Sequence, residues 1–212
     1  MNTPEMIELL KRDRSLAVVR TEAITDAAEL CGALVAGGIN AVELTFTIPD
    51  MLTHLAWAAE TAYTHGATVG AGTVLYADQA RAAIDAGAQF IVSPGIRPEV
   101  AEVAVQAGVP FCLGAMTPSE VAMALDLGSA MVKIFPAGTM GSGYLSDLLE
   151  PYPGVRLLAT GRITLANANE FLEAGALAVC VDSAVVPGAL VAAGEHEAIS
   201  RLAGEFTSVL HH

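Results

Sequence analysis

The stretch Asp85–Gly95, DAGAQFIVSPG, reads as the end of one element and the start of another. Ahead of it, ADQARAAID has the apolar spacing of a helix. The Gly that follows can adopt the left-handed backbone that ends a helix. Phe90, Ile91 and Val92 then form the short apolar run of a strand buried on both faces. The same phrase recurs as VAGGINAVELTF from Val35, QAGVPFCLGAM from Gln106, DLGSAMVKIFP from Asp126 and EAGALAVCVDS from Glu173. The glycines at 66, 87, 108 and 128 follow one another at 21, 21 and 20 residues, and the step from Gly128 to Gly175 is 47, two such units with one extra loop. A repeated helix-to-strand unit implies parallel strands joined by right-handed crossovers.

Eight apolar runs are expected to be strands: Leu16–Arg20, Ala41–Phe46, Thr68–Val74, Gln89–Pro94, Pro110–Met116, Met131–Pro136, Val155–Arg162 and Ala178–Val185. Each is followed by a helical segment, the last from about Glu195 to the C-terminus. Eight βα units predict an α/β fold of the closed (βα)8 TIM-barrel type, one domain spanning 1–212. An open doubly wound sheet is the alternative. TPEMIELLKRD adds a helix ahead of the first strand, placed to cover the bottom of the barrel.

Composition narrows the function classes. The chain of 212 residues has 53% hydrophobic and 16% charged residues, as expected of a globular protein. A net charge of −13 argues against nucleic-acid or anionic-membrane partners. The charged N-terminus lacks a signal-peptide core, and no apolar run is long enough to span a membrane. Cys31, Cys112 and Cys180 are isolated in apolar surroundings, which fits reduced, packed thiols and a cytoplasmic location. The terminal His211 and His212 are assigned no role, and His54 and His65 are read as solvated surface side chains.

Chemistry in a parallel barrel sits at the C-terminal ends of the strands. The polar residues expected there are Arg20, Glu43, Thr45, Thr47, Thr73, Ser93, Lys133, Thr160, Arg162, Asp182 and Ser183, with Pro94 and Gly161 beside them. Two of them stand out. Lys133 is one of only two lysines, the other being Lys11, and it lies inside MVKIFP; Glu43 lies inside AVELTF. A structural ion pair would explain both, although such pairs add little net stability after desolvation. A lysine whose stem is buried and whose head escapes to water is the other bland explanation. The functional explanation is that desolvation favours the neutral amine, which attacks a carbonyl, while a nearby carboxyl shuttles protons.

In their order and spacing, AVVR, GGINAVELTFTIPD, GAGTVL, FIVSPG, MTPSEV, MVKIFPAG, ATGRIT and DSAVVPG carry a family resemblance. Over about Ile7 to Phe206 the chain resembles the 2-keto-3-deoxy-6-phosphogluconate (KDPG) aldolases, also called 4-hydroxy-2-oxoglutarate aldolases, which are class I pyruvate aldolases. The resemblance implies a (βα)8 barrel, a homotrimer, a keto-acid substrate and no metal or other cofactor. It makes Lys133 the Schiff-base lysine and Glu43 the general acid/base working through a water. Thr73 and Thr160 become the hydroxyls near the pyruvate carboxylate, and Pro94 and Phe135 line the same pocket. Competing readings are a barrel isomerase or epimerase using Glu43, and a catalytically impaired barrel that binds an acid metabolite or serves as an oligomer.

The chain departs from that family in three places. Relatives hold the substrate phosphate with glycines where this chain has Arg162 and Asp182, and some carry Arg at the position of Thr47. Arg162 alone would strengthen anion binding. Asp182 alone would repel a phosphate. On successive inward-facing positions of neighbouring strands, the two are expected to meet and pair, closing the phosphate cup. The alternative is a neutral swap with both side chains in solvent.

Overall fold

In the computed structural model, which describes residues 1–210, eight parallel strands close into a barrel in chain order, each paired with the next and the last with the first. His211 and His212 lie outside the described residues. The strands are β1 (Ser15–Val19), β2 (Ala41–Thr45), β3 (Thr68–Gly72), β4 (Ile91–Val92), β5 (Phe111–Ala115), β6 (Met131–Ile134), β7 (Leu157–Thr160) and β8 (Ala178–Val181). Helix α1 (Thr3–Asp13) precedes β1 and α2 (Ala27–Ala36) follows it. Helices α3 (Met51–Glu60) and α4 (Ala62–His65) follow β2. Next come α5 (Ala77–Asp85), α6 (Pro98–Ala107) and α7 (Pro118–Asp126), one after each of β3, β4 and β5. Helices α8 (Ala137–Met140) and α9 (Gly143–Leu149) follow β6, α10 (Ala168–Glu173) follows β7, and α11 (Gly188–Ala193) and α12 (His196–Leu210) follow β8. The closed sheet excludes the open doubly wound alternative.

The repeat glycines act as expected: Gly66, Gly87, Gly108, Gly128 and Gly175 all have positive φ where a helix gives way to the next strand. Between Gly128 and Gly175 the extra length is the short helix α8. Alternation divides the apolar side chains of each strand between two cores. Val19, Val42, Leu44, Val69, Leu113, Val132, Leu157 and Val179 face outward and pack with the helices. Leu16, Val18, Ala41, Phe90, Val92, Cys112, Met131, Leu158, Ala178 and Cys180 fill the barrel, joined from below by Met6 and Leu10 of α1. Helix α1 is started by a reciprocal capping box between Asn2 and Glu5. It serves as the predicted bottom cover.

Most strands are shorter at their C-terminal ends than the apolar runs suggested. Thr73 has φ 56°, Gly161 has φ 90° and Arg162 has φ 58°, so β3 and β7 leave the extended conformation at the barrel mouth. At β8 the N–H groups of Val185 and Val186 turn back to donate to the Asp182 carbonyl, at 2.9 and 2.8 Å. β4 is cut at its start: the Gln89 side chain accepts the Val69 N–H at 2.9 Å in place of a ladder partner.

Candidate active site

The two anomalous charges meet inside the barrel. Glu43 follows Ala41 and Lys133 follows Met131 on inward-facing positions of β2 and β6. Lys133 is 5% exposed and Glu43 is fully buried. Lys133 Nζ lies 3.6 Å from Glu43 Oε1. That is close enough for strong Coulomb attraction but too long for a hydrogen bond. Among the described residues no hydrogen bond reaches either Glu43 oxygen. A structural ion pair that offset its desolvation would have its lone pairs satisfied. This one leaves a carboxylate with unused acceptors beside an amine, the arrangement needed to pass protons to and from a substrate.

Glycines make the room. A Cβ on Gly72, two positions past Gly70 and so on the same face of β3, would overlap the Glu43 carboxyl. A Cβ on Gly114, which pairs in register with Lys133, would overlap the Pro94 backbone. Both glycines therefore permit close packing beside the Lys133–Glu43 pair. Polar character at the strand ends does not reveal such positions, since glycine carries no side chain. The signal was legible in VGAGT, where glycine recurs with the period of one face of a strand.

A second group sits above the pair. The Arg20 guanidinium donates to Thr47 Oγ1 at 3.0 Å and to Thr73 Oγ1 at 3.1 Å. Thr45 Oγ1 donates to the Val19 carbonyl at 2.9 Å and shares a 2.7 Å hydrogen bond with Thr47 Oγ1. These bonds cross β1, β2 and the loop after β3 and fix a cation at the mouth. Thr160, two residues beyond the inward Leu158, is buried, and its Oγ1 makes no hydrogen bond among the described residues. Ser93 Oγ is likewise buried without a partner. Phe135 is 49% exposed, and its ring lies 2.8 Å from where a Gly161 Cβ would stand, so Gly161 lets the ring lie against the backbone.

Arg162 and Asp182 do not pair, contrary to the expectation from alternation. No ion pair or hydrogen bond joins them among the described residues. The physical reason is the consecutive positive φ values at Gly161 and Arg162, which break the in-and-out alternation before Arg162 is reached. Arg162 is exposed, with its Cβ against Gly138 of α8. Asp182 is half-buried; its Oδ1 accepts the Ser183 N–H at 2.6 Å and the Ser183 hydroxyl at 3.3 Å.

The remaining candidates lie elsewhere or are inert. All three cysteines are free and buried. Burial pushes the Cys180 thiol up to about 11, against the opposing charge of Lys133, and raises Cys112 and Cys31 as well. His54 and His65 are half-buried, not solvated. The His54 ring meets Trp57 edge-on at 6.2 Å, and His65 Nδ1 accepts the Ala67 N–H at 3.1 Å. Among the described residues no group of three or more His, Cys, Asp or Glu side chains gathers in a way that could hold a metal ion.

Comparison with known proteins agrees with this geometry. A family model described as KDPG and KHG aldolase matches residues 6–202. A 2-dehydro-3-deoxy-phosphogluconate aldolase of Treponema pallidum is 36% identical over 97% of each chain. The KHG/KDPG aldolase of Escherichia coli is 32% identical over 89% of this chain and 88% of that one. Among solved structures, the KDPG aldolase of Legionella pneumophila, with pyruvate captured as a covalent carbinolamine, superposes with a TM-score of 0.85. It is 28% identical, over 93% of this chain and 96% of that one. With a buried lysine and carboxylate at the core of an eight-stranded barrel and relatives of this similarity along its whole length, the chain belongs to the KDPG and KHG aldolase family and is an aldolase.

Proposed function

We propose that the protein is a class I aldolase that cleaves a 2-keto-3-deoxy sugar acid or 4-hydroxy-2-oxoglutarate to pyruvate and an aldehyde, with the whole chain acting as one catalytic domain. The observation that carries this reading is the buried Lys133–Glu43 pair, 3.6 Å apart, with neither carboxylate oxygen hydrogen-bonded among the described residues. The Lys133 amine adds to the substrate C2 carbonyl, and the oxygen takes up a proton to give a carbinolamine. Loss of water, assisted by proton transfer from Glu43, leaves a protonated imine. The C4 hydroxyl then gives up its proton as the C3–C4 bond breaks; the bonding electrons flow into the imine and an aldehyde departs. The remaining enamine takes a proton at C3, and water hydrolyses the new imine to release pyruvate and restore the amine.

The other candidates serve the keto-acid half. Arg20, held by Thr47 and Thr73, supplies positive charge for the substrate carboxylate. The unused Thr160 hydroxyl offers a further hydrogen bond, and Pro94 and Phe135 form the walls of the pocket. The resemblance also supports a homotrimer, and the exposed Trp57, Val105 and Met123 are apolar surface that an assembly would cover. Free, buried thiols support a cytoplasmic location.

Trapping with borohydride in the presence of pyruvate tests the reading. A reduced adduct is expected on Lys133, and Lys133→Met should abolish both the adduct and aldol cleavage while keeping the fold, since Met fills similar volume. Proton abstraction by Glu43 with no adduct on Lys133 would instead identify an isomerase or epimerase.

A further inference from the structure

Asp182 occupies a place in the fold where a negative charge has consequences. Barrel enzymes that bind phosphorylated substrates commonly hold the phosphate with backbone N–H groups of the loops after strands seven and eight. In this chain the residue directly after β8, two positions past the inward Cys180, is an aspartate. Its carboxylate already occupies the Ser183 N–H, at 2.6 Å. A donor that could meet an incoming anion is thus taken by an anion built into the chain. The Asp182 charge is close enough to the buried Cys180 thiol to help raise it, behind the larger effect of burial.

Arg162 does not cancel this charge. It is exposed, turned aside by its left-handed backbone, and makes no ion pair with Asp182 among the described residues. An exposed guanidinium is screened by water and salt, whereas a half-buried carboxylate is screened much less. None of the described hydrogen bonds uses Asp182 Oδ2, and a carboxylate oxygen is a strong acceptor for a hydroxyl.

We infer that Asp182 is a specificity-determining residue that excludes a phosphoryl group from the distal end of the substrate and selects an uncharged, hydroxylated aldehyde portion. The inference rests on the aldolase reading above and refines its substrate class. The natural substrate is accordingly an unphosphorylated 2-keto-3-deoxy sugar acid, whose terminal hydroxyls donate to Asp182 where a phosphate would be repelled.

The test is kcat/KM for pyruvate release from 2-keto-3-deoxy-6-phosphogluconate and from its unphosphorylated counterpart, with the parent, Asp182→Asn and Asp182→Ser. Asn keeps an acceptor for the Ser183 N–H and removes only the charge, so its fold should survive. Serine provides a second, smaller uncharged side chain. The parent should favour the unphosphorylated compound. Both variants should shift the ratio toward the phosphorylated one by at least about fivefold, chiefly through its KM. A parent that prefers the phosphorylated compound, or variants whose ratio moves by less than that, overturns the inference. Borohydride trapping with pyruvate is run on all three proteins to separate the two levels. Adducts with an unmoved ratio count against Asp182 alone, whereas no adduct and no pyruvate from either compound overturns the aldolase reading and this inference with it.

Discussion

A methyl group on Gly72 would have to share space with the Glu43 carboxyl. Glu43 cannot retreat easily, since it is fully buried among strand side chains. Gly72→Ala is therefore expected to push the carboxyl away from Lys133 rather than to be absorbed elsewhere. Displacing a reacting group by about 1 Å can cost up to roughly 100-fold in rate, so kcat for pyruvate release should fall at least about tenfold. A structural role alone would lower thermal stability and leave kcat of the folded enzyme near its parent value. Steady-state kinetics beside a melting curve distinguish the two. Lys133 and Glu43 were conspicuous in the sequence because charge is rare inside apolar runs. Gly72 was legible only as one of two glycines on one face of a strand, because what a missing side chain makes room for is known only once its neighbour is.

At the level of elements, α1 and the strand ends divide stability from chemistry. Met6 and Leu10 of α1 are fully buried against the interior residues of the barrel, at the end where the strands begin. Conserving the helix while removing that contact, Leu10→Ala should cost about 2–5 kcal/mol, read as a lowered denaturation midpoint. Pyruvate-release kcat should stay within about twofold, because the chemistry lies toward the opposite ends of the strands. A large fall in kcat without loss of stability would show that α1 shapes the site. At those opposite ends, apolar patterning overestimated the strands. Phe46, Val74, Met116 and Phe135 continue the apolar runs past the ends of their strands, but the backbone at Thr73, Gly161 and Arg162 has already turned left-handed.

For the molecule as a whole, a net charge of −13 would disfavour the approach of an acidic substrate. Arg20, held at the mouth by Thr47 and Thr73, offsets this locally. Assembly is the other property at this scale. Trp57 is 53% exposed, Val105 59% and Met123 50%, which is a large amount of bulky apolar surface to leave in water. Sedimentation equilibrium at micromolar concentration should give three times the chain mass if the proposed trimer forms, and a monomer at that concentration would contradict that proposal.

The sequence by itself determined the periodic helix-to-strand alternation, and through it the number of strands and their parallel direction, while closure of the sheet into a barrel came with the tertiary structure. It also singled out Lys133 and Glu43. Those features follow from local rules: glycine at helix ends, apolar runs in buried strands, and the cost of charge in an apolar setting. Tertiary structure alone decided the 3.6 Å approach of the pair, the Arg20 bonds to Thr47 and Thr73, and the separation of Arg162 from Asp182. Each of these joins residues from different strands, or depends on how the chain leaves one. Position along a strand predicts side-chain direction only while the backbone stays extended. At the mouth of this barrel the consecutive left-handed residues Gly161 and Arg162 end that rule.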